Sequence, residues 1–253
     1  MSPETESVVD TGLQGAIDKY YPFLMEIRGR LISLGIWFVI FALLGFAFYE
    51  RIVTFSLQIF RLEGVNFAFT SPFQFINLAI SSSLAAGVVA TIPVAIYQVL
   101  QFLKPALRPR EMRFVTMLVP ISIIFFIMGF FYGVAVMKYV IGIFYQVALQ
   151  LEVGNLLDVS AFLSQIISTA TLMAVAFQFP IVLTALLKLS VFEYQQVSSQ
   201  RPIIYFFLLL FAALLPPTDL LSLALLTVPL ILLFESTLFI NKAFLGIKTR
   251  PSG

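Results

Sequence analysis

Two carboxylates of this sequence stand among cations, where they could form charge-assisted hydrogen bonds. Glu26 precedes Arg30 by four residues, and Glu111 is the single acid of the basic segment 104–113, which holds four of the chain's 15 lysines and arginines. A helical i,i+4 pair such as Glu26 with Arg30 contributes roughly a few tenths of a kcal/mol. Glu111 follows Pro109, which suits a first helical turn, so its charge can complement the helix dipole. From the residues alone, these structural roles are the simpler interpretation of both acids.

Three further polar residues lie within or beside apolar stretches. Gln178 precedes Pro180 by two residues, so its amide can bond to another helix or to carbonyls that the proline leaves without a donor. A functional and a structural role are equally supported for Gln178. Asp219 is better explained as a helix cap than as a ligand, and Glu235, late in the last apolar run, suits a hydrated structural role.

Composition places the chain among polytopic membrane proteins. Hydrophobic residues make up 60% of 253 positions and charged residues 11%, against about 25% charged in ordinary soluble domains. Without Cys or His, the chain lacks thiolate nucleophiles and the commonest metal ligand and general base. We therefore expect no enzyme activity, no cofactor and no metal. The net charge of +2 is too small to indicate a nucleic-acid partner.

Apolar runs predict six membrane-spanning helices. The segment from residue 203 to 240 would measure about 57 Å as one helix, nearly twice the hydrocarbon core, so it must turn. Pro216 and Pro217 stop the first half, and Thr218 or Asp219 can cap the second. The runs are 31–49, 73–103, 114–137, 159–189, 203–215 and 220–240.

The distribution of cations predicts the orientation of these six spans. If both termini are cytoplasmic, 12 of the 15 lysines and arginines lie on that side, and Arg51, Arg61 and Lys138 lie on the other. This asymmetry matches the positive-inside bias. The predicted fold is therefore an all-α polytopic membrane protein with six transmembrane helices and cytoplasmic termini. Its last two helices are expected to be short, and prolines inside the spans favour a curved bundle.

One membrane domain, residues 1–253, accounts for the whole chain. Residues 1–30 form a cytoplasmic N-terminal segment with an interfacial amphipathic helix, 31–240 the six-span bundle, and 241–253 a cytoplasmic tail. Apolar residues spaced three and four apart before the first span indicate the interfacial helix. The long connections outside the cytoplasm, 50–72 and 138–158, are expected to be irregular with short helical pieces.

Several motifs, in one order along the chain, resemble those of the TatC family, the multispanning receptor subunit of the twin-arginine protein translocase. Phe-Leu-Met-Glu-Ile-Arg-Gly-Arg-Leu at 23–31 is similar to that family's entry segment, His-Leu-x-Glu-Leu-Arg-x-Arg-Leu. The resemblance covers roughly residues 20 to 240 and is more specific than any single motif. The other matching segments are 71–73, 93–98, 102–107, 110–111, 176–182, 216–219, 228–230 and 233–235.

The resemblance implies a multi-pass receptor in the cell (inner, or cytoplasmic) membrane for folded cargo proteins with Arg-Arg signal peptides. It also implies TatA/TatB-type single-span partners, a homo-oligomer within a larger complex, and transport driven by the proton-motive force. Glu26 and Glu111 would accept the two arginines, since arginine forms bidentate bonds to carboxylates that lysine cannot reproduce. The remaining implied residues are Phe102, Arg28 and Pro105 for signal-peptide binding, and Gln178, Thr218 and Asp219 for partner-helix docking.

The sequence departs from the family pattern at three places. Phe23 replaces the family's His, Gln178 replaces its frequent intramembrane Glu, and Pro-Pro-Thr-Asp at 216–219 permutes its Thr-Pro-Pro-Asp. A mechanism that protonates residue 178 is therefore unsupported in this chain. The alternative function is a six-span secondary transporter of a small solute. Such a protein commonly has internal repeats and ionisable residues near mid-membrane, and neither is evident in this sequence.

Overall fold

Helices make up nearly all of the residues that the computed structural model describes, which are 3–59, 66–68, 72–103, 109–150, 156–189 and 191–244. The longest helices form where the sequence is apolar over many residues and contains few strong helix breakers. Their bounds are α1 Pro3–Ala47, α2 Tyr49–Ile59, β1 Asn66–Ala68, α3 Pro72–Leu103, α4 Pro109–Gln150, β2 Leu156–Asp158, α5 Val159–Ala176, α6 Phe179–Lys188, α7 Tyr194–Ser199, α8 Arg201–Ala213 and α9 Leu220–Phe244.

Five helical segments in the described part of the chain are long and apolar enough to cross a membrane. They are Met25–Ala47, Phe73–Val99, Met112–Ala148, Ser160–Lys188 and Leu220–Ala243. The shorter apolar helix α8, Arg201–Ala213, lies where the fifth span is predicted. The prediction of a helical, multispanning membrane protein is confirmed.

The last helix, by contrast, is not short. α9 has 25 residues, about 37 Å of helix, which is enough to cross the hydrocarbon core. It continues past residue 240 because residues 241–244 contain no breaker, so the start of the predicted tail is helical. Of the last two helices, only α8, with 13 residues, is short. The expectation that both of the last two helices are short is therefore wrong for α9.

α1 and α4 are longer than their predicted spans. The predicted interfacial segment and first span form one helix, α1, of 45 residues. α4 has 42 residues, about 63 Å, and takes in much of the connection 138–158 that was expected to be irregular. It continues because the segment after Lys138 contains no proline, and because Val140 extends the buried stripe of Val136 by one helical turn.

A pair of short parallel strands joins the two long connections. Asn66, Phe67 and Ala68 of β1 pair with Leu156, Leu157 and Asp158 of β2. Their backbone hydrogen bonds hold the segment before α3 beside the segment before α5. The connections are thus more ordered at this point than the sequence indicated.

Close approach at glycines packs α4 against α5. A Cβ atom added at Gly133 would lie 2.6 Å from Ala170 Cα, and one added at Gly129 would lie 2.7 Å from Met173 O. Small residues allow membrane helices to approach until their backbones touch. α1 packs on α3 in the same way, at Gly45 and Gly87. These contacts set the positions of the helices that carry the polar residues described next.

Candidate functional site

Glu26 forms an ion pair with Arg30 one turn later on α1. Arg30 Nη2 lies 2.6 Å and Nε 3.2 Å from Glu26 Oε1. The pair is partly exposed, with 43% of the Glu26 side chain and 27% of the Arg30 side chain accessible. The i,i+4 pairing expected from the sequence is confirmed.

Arg30 also connects α1 to the last turns of α3. Its Nη1 donates a hydrogen bond to the backbone carbonyl of Gln98 at 2.8 Å. The Gln98 side chain makes a second contact between the same two helices, since its Nε2 donates to Ser33 Oγ on α1 at 3.0 Å. The two helices are thereby joined by polar contacts at the end of the bundle where α3 ends. We call this end, which the sequence predicts to be cytoplasmic, the basic end.

The other residues predicted to bind a signal peptide are placed less completely. Arg28 is exposed on α1, between Glu26 and Arg30. Phe102 lies in the last turn of α3 and Glu111 in the first turn of α4, and for both the description is confined to the backbone. Pro105 lies outside the described residues. The structure thus describes the side chains around Glu26, while convergence of Glu26 with Glu111 stays a prediction.

Gln178 lies at a break in the fourth span, between α5 and α6. Its backbone N–H donates to Val175 O at 3.0 Å, so Ala174 O loses its usual helical donor. The Gln178 side-chain Nε2 donates to that carbonyl at 3.4 Å and to Ser122 O on α4 at 3.1 Å. Of the two roles left open by the sequence, the structural one is observed, and partner docking stays a prediction.

Asp219 caps the last helix, as the sequence indicated. Its Oδ1 accepts a hydrogen bond from Ser222 N–H at 2.8 Å, and its Oδ2 accepts one from Ser222 Oγ. Burial raises the pKa of the Asp219 carboxyl, but the hydrogen bonds from Ser222 outweigh burial, so the net pKa lies below its ordinary value. Thr218 beside it is exposed. Thr169 on α5 anchors the same turn by donating to Pro216 O.

A second ion pair joins α8 to α9 and was missed from the sequence. Arg201 Nε lies 3.0 Å from Glu235 Oε1, and the Tyr205 hydroxyl donates to the same oxygen. Arg201 and Tyr205 are four residues apart and share one face of α8. That spacing was visible in the sequence, but the partner across the bundle was not. Glu235 has the structural role that was expected of it.

An apolar groove of about 750 Å³ opens between α6, α7 and α8. Its wall includes Phe179, Phe207 and Phe211, and two amide side chains, Gln196 and Gln200, line it as well. Among the described residues that line the groove, none is charged or nucleophilic. Its chemistry suits an apolar chain or helix.

Comparisons with known proteins agree on one family. The family model described as Sec-independent protein translocase protein (TatC) matches residues 22–229. The chain is 31% identical to the Sec-independent protein translocase protein TatC of Aquifex aeolicus, covering 87% of this chain and 92% of that protein. It is 27% identical to TatCy of Bacillus subtilis, covering 87% of each.

Solved structures agree with the sequence relatives. Two crystal structures of the twin-arginine translocase receptor TatC, one of them in DDM, each share 28% identity with this chain. The structure in DDM superimposes with a TM-score of 0.72 over 86% of this chain and 98% of that one. The other gives 0.73 over 87% and 97%. These matches favour a protein translocase over a small-solute transporter. The chain belongs to the TatC family of Sec-independent protein translocase proteins and is a multi-pass protein of the cell membrane.

Proposed function

We propose that this chain is the twin-arginine signal receptor of a Sec-independent translocase, and that Glu26 and Glu111 accept the two signal arginines at the basic end. The observation that carries the proposal is the partly exposed Glu26 carboxylate, already engaged by a guanidinium at 2.6 Å. This pair supports the proposal, because a signal arginine would bind the same carboxylate with the same kind of donor. Membership of the TatC family supports the same assignment.

The discrimination between arginine and lysine follows from the geometry of the guanidinium. Its planar fork can donate two hydrogen bonds at once, either to both oxygens of a carboxylate or to a single one, as Arg30 does to Glu26 Oε1, whereas an ammonium is a strongly hydrated point charge. Arg28 lies two residues from Glu26, and Glu111 belongs to the basic segment 104–113 of the sequence, so an incoming cation requires a fixed carboxylate. Phe102 and Pro105 would receive the apolar part of the signal.

The partner subunits would dock along the short fifth span. α8 exposes Phe206 and Phe207 at 59% and 60%, although it is too short to cover the core of a bilayer by itself. We propose that a single-span helix of the TatA/TatB type packs here, with the turn at Thr218 and Asp219 and the break at Gln178 on the docking side. Such a complex, with several copies of this chain, would use the proton-motive force for transport.

A binding experiment on the purified full-length protein tests the receptor assignment. We expect an Arg-Arg signal peptide to bind at least about tenfold more tightly than the same peptide with Lys-Lys, since hydrogen bonds to charged groups contribute about 1.5–3 kcal/mol. The double substitution Glu26→Gln with Glu111→Gln should abolish this preference. The matched control is Glu50→Gln, which removes an exposed acid from α2. Equal binding of the two peptides would contradict the proposal.

A further inference from the structure

All three guanidinium nitrogens of Arg30 are engaged, two within α1 and one with α3. Nε and Nη2 face Glu26 Oε1, and Nη1 faces the carbonyl of Gln98 on α3. With 27% of its side chain accessible, Arg30 is the less exposed partner of the pair. Its position is therefore set on one side by α3 and on the other by Glu26.

Both contacts to Glu26 fall on a single oxygen. Among the described residues, no hydrogen-bond donor reaches Oε2 of Glu26. The carboxylate thus has one oxygen fixed from within the chain, while the other is available to a ligand. Because 43% of the Glu26 side chain is accessible, a second guanidinium can approach from solvent.

We propose that Arg30 is a positioning residue of the signal-binding site, one that holds Glu26 by Oε1 so that Oε2 is presented to a signal arginine. This inference rests on the proposed function. A glutamate on a helix surface otherwise samples several rotamers, and fixing it before binding removes part of the entropic cost of binding. Arg30 need not touch the signal to have this effect.

The carbonyl of Gln98 also relates Glu26 to the apolar part of the site. Phe102 follows Gln98 by four residues in α3, one helical turn. Arg30 therefore sets the distance between the carboxylate on α1 and the turn of α3 that carries Phe102. The hydrogen bond from Gln98 to Ser33 at 3.0 Å helps to hold α1 and α3 in this relative position.

Substitution of Arg30 by lysine separates two effects of this residue, the positioning of Glu26 and the positive charge beside it. An ammonium keeps the positive charge beside Glu26, so its repulsion of an incoming arginine is retained. It lacks the fork that reaches Glu26 Oε1 and Gln98 O together. If Arg30 acts by position, Arg30→Lys and Arg30→Gln should both weaken binding. If Arg30 merely competes with the signal for Glu26, Arg30→Gln should strengthen it.

The test measures the affinity of the full-length protein for labelled Arg-Arg and Lys-Lys signal peptides. We expect Arg30→Lys and Arg30→Gln each to weaken Arg-Arg binding about tenfold and to shrink the preference over Lys-Lys. Lys242→Gln, which removes an exposed cation from the last turn of α9, should leave both affinities unchanged. Unaltered or tighter binding by Arg30→Lys and Arg30→Gln would overturn the inference.

A double-mutant cycle distinguishes positioning from general loss of structure. Once Glu26→Gln has removed the carboxylate, Arg30→Lys should cause no further loss of affinity, because Arg30 acts through Glu26. Additive losses would overturn the inference, since they indicate a structural role elsewhere. The proposed function fails separately, when Glu26→Gln with Glu111→Gln leaves the preference for Arg-Arg intact.

Discussion

At the scale of single residues, the polar groups of this protein are used in pairs whose partners stabilise helix ends and helix contacts. Glu26 with Arg30 and Asp219 with Ser222 are local pairs, three or four residues apart. Local spacing made both predictable from the sequence. The contact from Arg30 to Gln98 spans 68 residues and depends on how α1 packs on α3, which no spacing rule supplies.

The cap at Asp219 provides a test of stability at this scale. Asp219→Ala should reduce the free energy of unfolding by about 1 kcal/mol, because two groups of Ser222 lose their acceptor. Asp219→Asn, which keeps a capping oxygen, is the matched control and should cost less. Thermal unfolding in detergent measures both. Equal stability of Asp219→Ala and the wild type would show that the cap contributes nothing.

The pH dependence of the same cap follows from its lowered pKa. The charged carboxylate accepts the bonds from Ser222, so its stabilisation is fully present above the ordinary pKa of 3.8. It is lost as pH falls through the lower pKa of the folded state. The difference in melting temperature between wild type and Asp219→Ala should therefore narrow only in that acidic range. A difference that widens on acidification would contradict this sign.

At the scale of elements, helix contacts decide where the spans begin and end. Hydropathy located the predicted spans, because apolar runs of about 20 residues usually form membrane-spanning helices. It ended the third span near Lys138, since a cation usually marks a membrane boundary. α4 continues to Gln150, and Val140, beyond that point, is still fully buried. The break before Gln178 was likewise invisible to a simple hydropathy run.

Close packing of α4 on α5 predicts opposite effects for two glycines of the same helix. Gly133→Ala should destabilise the protein by about 1–3 kcal/mol. The added Cβ would lie 2.6 Å from Ala170 Cα, where the two helices are already in close contact. Gly142→Ala meets no atom within 4 Å and should stabilise by about 0.5–1 kcal/mol as a better helix former. Unfolding in detergent compares them. Equal changes in stability would contradict the packing described.

At the scale of the whole molecule, the asymmetric charges predict one orientation in the membrane. The chain has no Cys, so single cysteines introduced at exposed positions can be labelled without background. We expect Arg113→Cys and Lys242→Cys to react with an impermeant maleimide from the cytoplasmic side only. Glu50→Cys and Tyr139→Cys should react from the opposite side. Labelling of Arg113→Cys and Lys242→Cys from opposite sides would exclude an even number of spans between them.

The TatC family match covers most of the chain, and the contacts of its acids with a ligand are open to direct measurement. The TatC match covers residues 22–229 and so includes both Glu26 and Glu111. The two acids are 85 positions apart in sequence and belong to different helices, α1 and α4. Their joint use by one signal is the central claim, because it gives an arginine pair two acceptors at one end of the bundle.

Coupling between the receptor acids and the signal arginines tests that claim most directly. Affinities are measured for wild type, Glu26→Gln and Glu111→Gln with signals in which each arginine in turn is replaced by lysine. We expect each glutamate to couple to one arginine, so that a signal with lysine in place of that arginine loses less affinity than the Arg-Arg signal when the glutamate is removed. Additive losses for every glutamate and arginine combination would contradict direct contact and the receptor site proposed here.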